Sequence, residues 1–239
     1  MPRFFKTNFK NAPFIDGDDA SHIAKSLRMR IGEQLTVCDT KGTDFLCEIT
    51  NVSPDRIDFD IINETKTVSE PSVTVTLFQC MPKSDKMDNV VKQSVELGVA
   101  EITPVISSRC VSVPDAKASA KKVERWQRIA NEAAGQSGRG ILPKVNDVIT
   151  YKQMLQDIKA FDTVMIFYEN GGSSLSSLDI KSGSCAIIIG PEGGFSQNEV
   201  DTAKQNGATI CTLGKRILRT ETAPLAALTA IMTLTGNMD

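Results

Sequence analysis

The sequence predicts an α/β protein in two parts, a small antiparallel β-barrel followed by a larger domain built on a mostly parallel sheet. Three observations carry this. Residues 32 to 64 alternate polar and apolar side chains with a period of two, as half-buried strands do. From Val73 onward the rhythm changes to strand, helix, strand, helix, which builds a parallel sheet covered by helices. The apolar runs "FDTVMIFYEN" and "CAIIIG" show no alternation, as expected of central strands buried on both faces.

In chain order, Asp18 or Asp19 can cap a short helix carrying Ile23 and Leu27. Leu35 and Val37, then Phe45, Cys47 and Ile49, then Ile57, Phe59 and Ile61 mark three strands, with turns at "DTKGT" and "SPDR". Short strands with tight turns indicate a small barrel. The polar stretch "NETKTVSEPS" (63 to 72) reads as a linker, so the domains are 1–70 and 71–239. "VTVTLFQC" is a strand, and "SDKMDNVVKQSVELG" a helix with Met87, Val90, Val91, Val95 and Leu97 on its apolar side and Gly98 at its end. "EITPVI" is a strand, 118 to 134 a basic helix around the sole tryptophan, Trp126, and Ala208 to Leu213 a further strand. The last helix, "TAPLAALTAIMTLTG", carries no charge on any side, so it must be wedged in the core or lie at a subunit interface, and a homodimer is the natural expectation.

At 239 residues with 41% hydrophobic and 23% charged side chains, the chain has the composition of a soluble globular protein. No segment approaches the ~18 apolar residues of a membrane span, and "MPRFFKTNFKNAPF" lacks the apolar region of a signal peptide, so the expectation is cytoplasmic. The six cysteines (38, 47, 80, 110, 185, 211) form no C-x-x-C pair, and His22 is the only histidine. This disfavours a metal site and leaves free buried thiols as the expectation. A net charge of −2 argues against indiscriminate coating of nucleic acid. Residues 107 to 144, however, hold eight basic against three acidic side chains, and Arg3, Lys6, Lys10, Lys25, Arg28 and Arg30 form a second basic set. Such patches fit a selective polyanion ligand, although charged faces are also simply solvated.

Two loops stand out. "GPEGG" (190 to 194) ends an apolar strand, and Ser196 and Glu199 then form an S-x-x-E capping box. It has neither the Lys-Ser/Thr of a P-loop nor the G-x-G-x-x-G of a dinucleotide fold, and Glu192 puts a carboxylate where a phosphate would sit. Its glycines permit close approach of backbone to a ligand, or make a plain strand-to-helix connection. "LGKRILRTETAPLAAL" (213 to 228) runs from a strand through Lys215, Arg216, Arg219 and Glu221 into the uncharged helix, with Thr220 or Thr222 able to cap it. Open α/β sheets bind ligands at the carboxyl ends of strands, where both loops fall.

"GPEGGFSQNEV" and "LGKRILRTETAPLAAL" resemble the two C-terminal motifs of the RsmE family, 16S ribosomal RNA uridine-N3 methyltransferases of the SPOUT superfamily. "HIAKSLRMRIGE" (22 to 33), "KSDKMDNVVKQSVELGVAEITPVISSRCV" (83 to 111) and "ERWQRIANEAAGQSGR" (124 to 139) resemble further blocks of that family in the same order, so the resemblance covers nearly the whole chain. It implies a PUA-like β-barrel (1–70) and a SPOUT domain (71–239) ending in a C-terminal trefoil knot, a topology that general rules of chain connection would reject. It also implies a homodimer packed through knot helices. S-adenosyl-L-methionine would be held by Tyr168, Glu169 and Asn170, by Gly190, Pro191, Glu192, Gly193 and Gly194, and by Leu213, Gly214, Ile217 and Leu218 with Thr222 and Ala223.

Methylating a uracil imide nitrogen requires loss of its proton and an in-line displacement at a sulfonium. Arg219 is assigned to stabilising charge on the uracil oxygens, and Glu221 to orienting Arg219 or accepting the proton. Arg3, Lys6, Arg28, Arg30, Lys83, Lys86 and Arg109 are the expected contacts to 16S rRNA in the small ribosomal subunit. His22 is either a further RNA contact or a polar residue of its helix. The target uridine has to be splayed out of its helix to react. Three alternatives remain open: a SPOUT methyltransferase for another RNA position, a non-catalytic RNA-binding protein of the same fold, and, more remotely, a nucleotide hydrolase.

Overall fold

The alternating segment folds as a sheet in the computed structural model, which describes residues 1–180 and 183–238. By its contacts the chain divides into two units, residues 1–70 with 134–142, and residues 71–133 with 143–239.

In the first unit, β1 (Arg3–Phe5), β2 (Phe14–Asp16), β3 (Gln34–Cys38), β4 (Thr43–Val52) and β5 (Arg56–Lys66) form one sheet in the order β1-β3-β4-β5-β2. All pairings are antiparallel except β1 with β3. Register shifts at Leu46/Cys47 and Ile49/Asn51 mark bulges, which bend and twist the long β4–β5 ribbon. The inward side chains pack around Phe9, whose ring lies 5.6 Å from Phe45 and 5.9 Å from Phe59. Leu35, Val37, Ile57 and Ile23 complete that core.

Two local expectations change here. Residues 63–66, expected to be linker, are the end of β5 and pair with residues 43–46. Their polar composition reflects exposure, and the ladder to β4 holds them extended. The first helix, α1 (Gly17–Ser21), has Asp16 as its N-cap residue, with Asp18 and Asp19 in its first turn. No cap hydrogen bond forms, since the Asp16 carboxylate accepts instead from Lys6 Nζ at 2.6 Å. One π-helical turn (His22–Ser26) continues it.

In the second unit, β6 (Val73–Cys80), β7 (Glu101–Ile106), β8 (Lys144–Val145), β10 (Thr163–Phe167), β11 (Ser173–Ser174), β12 (Gly183–Ile189) and β13 (Thr209–Thr212) follow the order β11-β13-β10-β12-β6-β7-β8. β9 (Ile149–Thr150) also pairs with β7, and every pairing is parallel. β12 lies at the centre, joined to β6 from Gly183↔Val73 to Ile189↔Gln79. Its uninterrupted apolar run follows from burial on both faces.

The helices are α2 (Lys86–Glu96), α3 (Ala116–Gln136), α4 (Tyr151–Asp157), α5 (Gln197–Gln205) and α6 (Ala223–Leu234). Gly98 closes α2 at φ +93°, where its amide donates to the Val95 carbonyl. α6 packs on α2, β6 and β12 through Pro224, Ala227, Leu228, Ile231 and Met232. Leu225, Ala226, Thr229 and Ala230 on its other side are only half-buried, and Leu234 is exposed, so burial within the chain covers one face rather than all. No helix among the described residues is long and apolar enough to cross a membrane.

This sheet order positions the site. β13, β10 and β12 are adjacent and parallel, so the segments that follow them leave the sheet along the same carboxyl edge. They are the two loops that stand out in the sequence and the 168–170 segment that the resemblance implies.

Candidate active site

A cavity of about 490 Å³ opens at that edge. Tyr168 and Glu169, all of residues 190–194, and Leu213, Gly214, Ile217, Leu218, Arg219 and Ala223 line it. Lys215 and Arg216, within the expected 213–218 loop, line it too, as do Phe167, Ile189, Phe195, Thr212, Thr220 and Lys86, which were not assigned to it from the sequence. Asn170 and Thr222 do not line it. Asn170 supports Tyr168 instead, its amide donating to the phenol oxygen at 2.9 Å. Thr222 is the α6 N-cap without a side-chain cap bond.

The 190–194 loop is bolted from several directions. Thr220 Oγ1 donates to the Gly190 carbonyl at 2.7 Å, and Arg109 Nη1 to the Gly193 carbonyl at 2.8 Å. The Lys83 amide donates to the Glu192 carboxylate at 3.1 Å. The capping box forms as the S-x-x-E spacing predicts: Ser196 Oγ accepts from the Glu199 amide, and Glu199 accepts from the Ser196 amide. Glu199, buried beneath the loop, also accepts from the Ser108 amide at 2.8 Å. Burial raises its carboxyl pKa, but the amides of Ser108 and Ser196 and their hydroxyls more than offset this and hold it below the ordinary value. Space is tight at the loop glycines. A Cβ at Gly194, which sits at φ +63°, would lie 2.7 Å from Glu169 Oε1, and one at Gly190 would lie 3.1 Å from the Phe195 ring.

Lys86, at the start of α2, bridges two carboxylates, with Nζ 3.1 Å from Glu192 Oε1 and 3.0 Å from Glu221 Oε2. Its pKa is raised by hydrogen bonds to Glu221 and Glu192. For Glu221, burial raises the pKa, but its own backbone amide, Lys86 and the Arg219 charge prevail and lower it. Glu221 is therefore a carboxylate at neutral pH and a weak proton acceptor. Its hydrogen-bonding partner is Lys86, and Arg219, exposed on the cavity wall, acts on it only through its charge.

The expected polyanion contacts fall into two groups. In the first unit, Arg3 forms a two-pronged ion pair with Asp44 (2.9 and 2.6 Å) and also donates to the Arg139 carbonyl. With its side chain 11% exposed, Arg3 braces the barrel rather than reaching outward. Lys6 pairs with Asp16 and lies over the Phe14 ring. Arg28, at φ +54°, and Arg30 are exposed, and so is His22, whose ring lies 6.1 Å from Phe4. In the second unit, Lys83 is exposed, while Lys86 and Arg109 are committed to the pocket loops. The six cysteines are free, all buried but Cys110. Among the described residues, no group of three His, Cys, Asp or Glu side chains is placed to hold a metal ion.

Comparison with known proteins agrees with this arrangement. The family described as the RNA methyltransferase domain matches residues 69–232, and the RNA methyltransferase PUA domain matches residues 15–62. Ribosomal RNA small subunit methyltransferase E of Bacillus subtilis is 37% identical, over 97% of this chain and 96% of its own. The crystal structure of the protein of that name from Neisseria gonorrhoeae, bound to S-adenosyl methionine, superposes with a TM-score of 0.90 at 38% identity, over 98% of each chain. A Legionella pneumophila structure in complex with the same cofactor superposes at 0.89 with 29% identity, again over 98% of each chain. The fold class is thus the expected one, a PUA-like barrel followed by a SPOUT α/β domain. With likeness of this extent in both sequence and structure, the chain belongs to the ribosomal RNA small subunit methyltransferase E family.

Proposed function

We propose that this chain transfers a methyl group from S-adenosyl-L-methionine to N3 of one uridine in the 16S RNA of the small ribosomal subunit. One observation carries the reading: three loops from adjacent parallel strands, in a member of this family, converge on a single cavity. Its volume of about 490 Å³ suits a ligand of cofactor size.

The lining fits this cofactor. Phe167, Ile189, Phe195, Leu213 and Leu218 offer apolar surface to an adenine ring, and the carboxylates of Glu169 and Glu192 suit a cationic ligand. The crowded glycines let the loop pack against Glu169 and the Phe195 ring, which also line the cavity. When bound, the cofactor supplies an electrophilic methyl group on a sulfonium. Arg219 stabilises negative charge on the uracil oxygens as the N3 proton passes to solvent water. Glu221, held ionised by Lys86, attracts the Arg219 guanidinium through its charge and positions the α6 end of the loop. Arg28, Arg30, His22 and Lys83, exposed on their units, are the RNA contacts this reading retains.

A homodimer in the cytoplasm completes the proposal, with the uncharged, half-buried face of α6 (Leu225, Ala226, Thr229, Ala230) as the contact surface. Two experiments test the reading. Calorimetry should record uptake of S-adenosylmethionine. Mapping of methylated bases in ribosomal RNA from cells lacking and regaining the gene should show a single uridine N3 restored. A methyl group at another position would redirect the substrate, and no cofactor uptake would end the reading.

A further inference from the structure

Gln79 is fully buried at the carboxyl end of β6, beside Ile189 of β12 and directly behind the cavity wall. Its amide spends both hydrogens, donating to the Cys80 carbonyl at 3.0 Å and to Thr220 Oγ1 at 3.1 Å. The reverse orientation would turn the amide oxygen against the Cys80 carbonyl, so the donor side faces Thr220. With an acceptor role imposed on its hydroxyl oxygen, Thr220 directs its own proton to the Gly190 carbonyl at 2.7 Å. A one-way chain, Gln79 to Thr220 to Gly190, thus joins β6 to both of the principal pocket loops.

Gln79 is an expensive way to gain stability, because Gln79 Oε1 is buried with no partner among the described residues. An apolar residue of similar size would avoid that cost. We propose that Gln79 is a positioning residue for methyl transfer: acting through Thr220, it sets the spacing between the Gly190–Gly194 loop and the loop that carries Arg219. This deepens the S-adenosylmethionine reading and rests on it.

The test compares wild type with Gln79→Leu, Thr220→Val, Thr220→Ser and the Gln79→Leu/Thr220→Val double variant, using calorimetry with S-adenosylmethionine and thermal unfolding without it. Gln79→Leu and Thr220→Val should each weaken binding about 10-fold, the effect of one lost hydrogen bond. The double variant should lose no more than the worse single variant, because both break one chain. Thr220→Ser keeps the hydroxyl and should recover most of the affinity lost in Thr220→Val. Thermal midpoints should not follow the affinities. Lowered midpoints with unchanged affinity would make the chain a purely structural brace, and a multiplicative loss in the double variant would make the two residues independent; either result overturns the proposal. Should Gln79→Leu fail to fold, the Thr220 pair decides alone. A wild type that takes up no cofactor overturns the methyltransferase reading together with this one, whereas wild-type uptake with unaffected variants overturns only this one.

Discussion

The 190–194 loop and the 214–219 segment face the same cavity and are held in opposite ways. In the first, two carbonyls and a carboxylate are tied to side chains or amides from other elements, and a capping box closes the turn behind them. In the second, hydrogen bonds among the described residues fall only at the ends, on Gly214 and on the Arg219 carbonyl. Lys215, Arg216 and Ile217 stand in solvent between them, Ile217 at 82% exposure. A preset wall fixes where a ligand sits at little further entropic cost. An untied wall meets its ordering cost when the ligand arrives, and that is where ligand entry and release are easiest. One side of the site therefore supplies position and the other supplies adaptation.

Four measurements break or sharpen this contrast. The largest effect is expected on the untied side. Arg219→Ala should lower turnover by on the order of 10²–10³ at saturating cofactor, the usual loss for a charge-stabilising donor, while leaving the unfolding midpoint in urea unchanged. Near-normal turnover would remove Arg219 from the chemistry. Next is the tied side: Glu199→Ala should cost about 2–3 kcal/mol in urea unfolding, because it removes the capping box and the charged acceptor of the Ser108 amide. A cost near zero would mean that this wall is held elsewhere.

Gly194→Ala should cost about 1–2 kcal/mol through its left-handed backbone, and should weaken cofactor binding as the new methyl group displaces Glu169. Binding equal to wild type would show that the Glu169 side of the cavity is not used.

The smallest effect is a pH dependence. The lowered pKa values of Glu192 and Glu221 make their bridge to Lys86 fully present above their ordinary value of 4.5, and lost as pH falls through the lowered values. The raised Lys86 pKa makes its share fully present below 10.5 and lost as pH rises through the raised value. The difference in melting temperature between wild type and Lys86→Met should hence be flat between those limits and shrink on the acid side. A difference that persists in strong acid would assign it to packing.

What could be read ahead of the structure follows the range of the interactions involved. β6 and β7 match "VTVTLFQC" and "EITPVI" residue for residue, because an apolar run between turn residues is a local signal. The 190–194 and 213–219 loops were legible for the same reason, as glycine-rich or charged breaks between strand and helix, whereas 168–170 entered only through the family resemblance. β1 and β2 were not, since three-residue strands owe their existence to ladders with residues far along the chain. Nor could any local pattern show that Lys86 would face Glu192 and Glu221, that Arg3 would be spent on Asp44, or that Gln79 would meet Thr220 across 141 positions. Charge on a sequence marks a cation; only the fold shows whether a carboxylate has already claimed it.

The return of residues 134–142 to the first unit bears on the order in which the protein can be made. Arg139, 3% exposed, pairs with Glu70, whose carboxylate also accepts from the amides of Gly140 and Ile141. The Gly140 carbonyl in turn accepts from the Gly42 amide and the Cys38 thiol. During synthesis the five strands of this unit emerge first, yet Glu70 has to wait for its counter-ion until the segment beyond α3 has been added. A ribosome making this chain therefore releases a barrel with an open seam, and seals it only after much of the catalytic half has begun to follow.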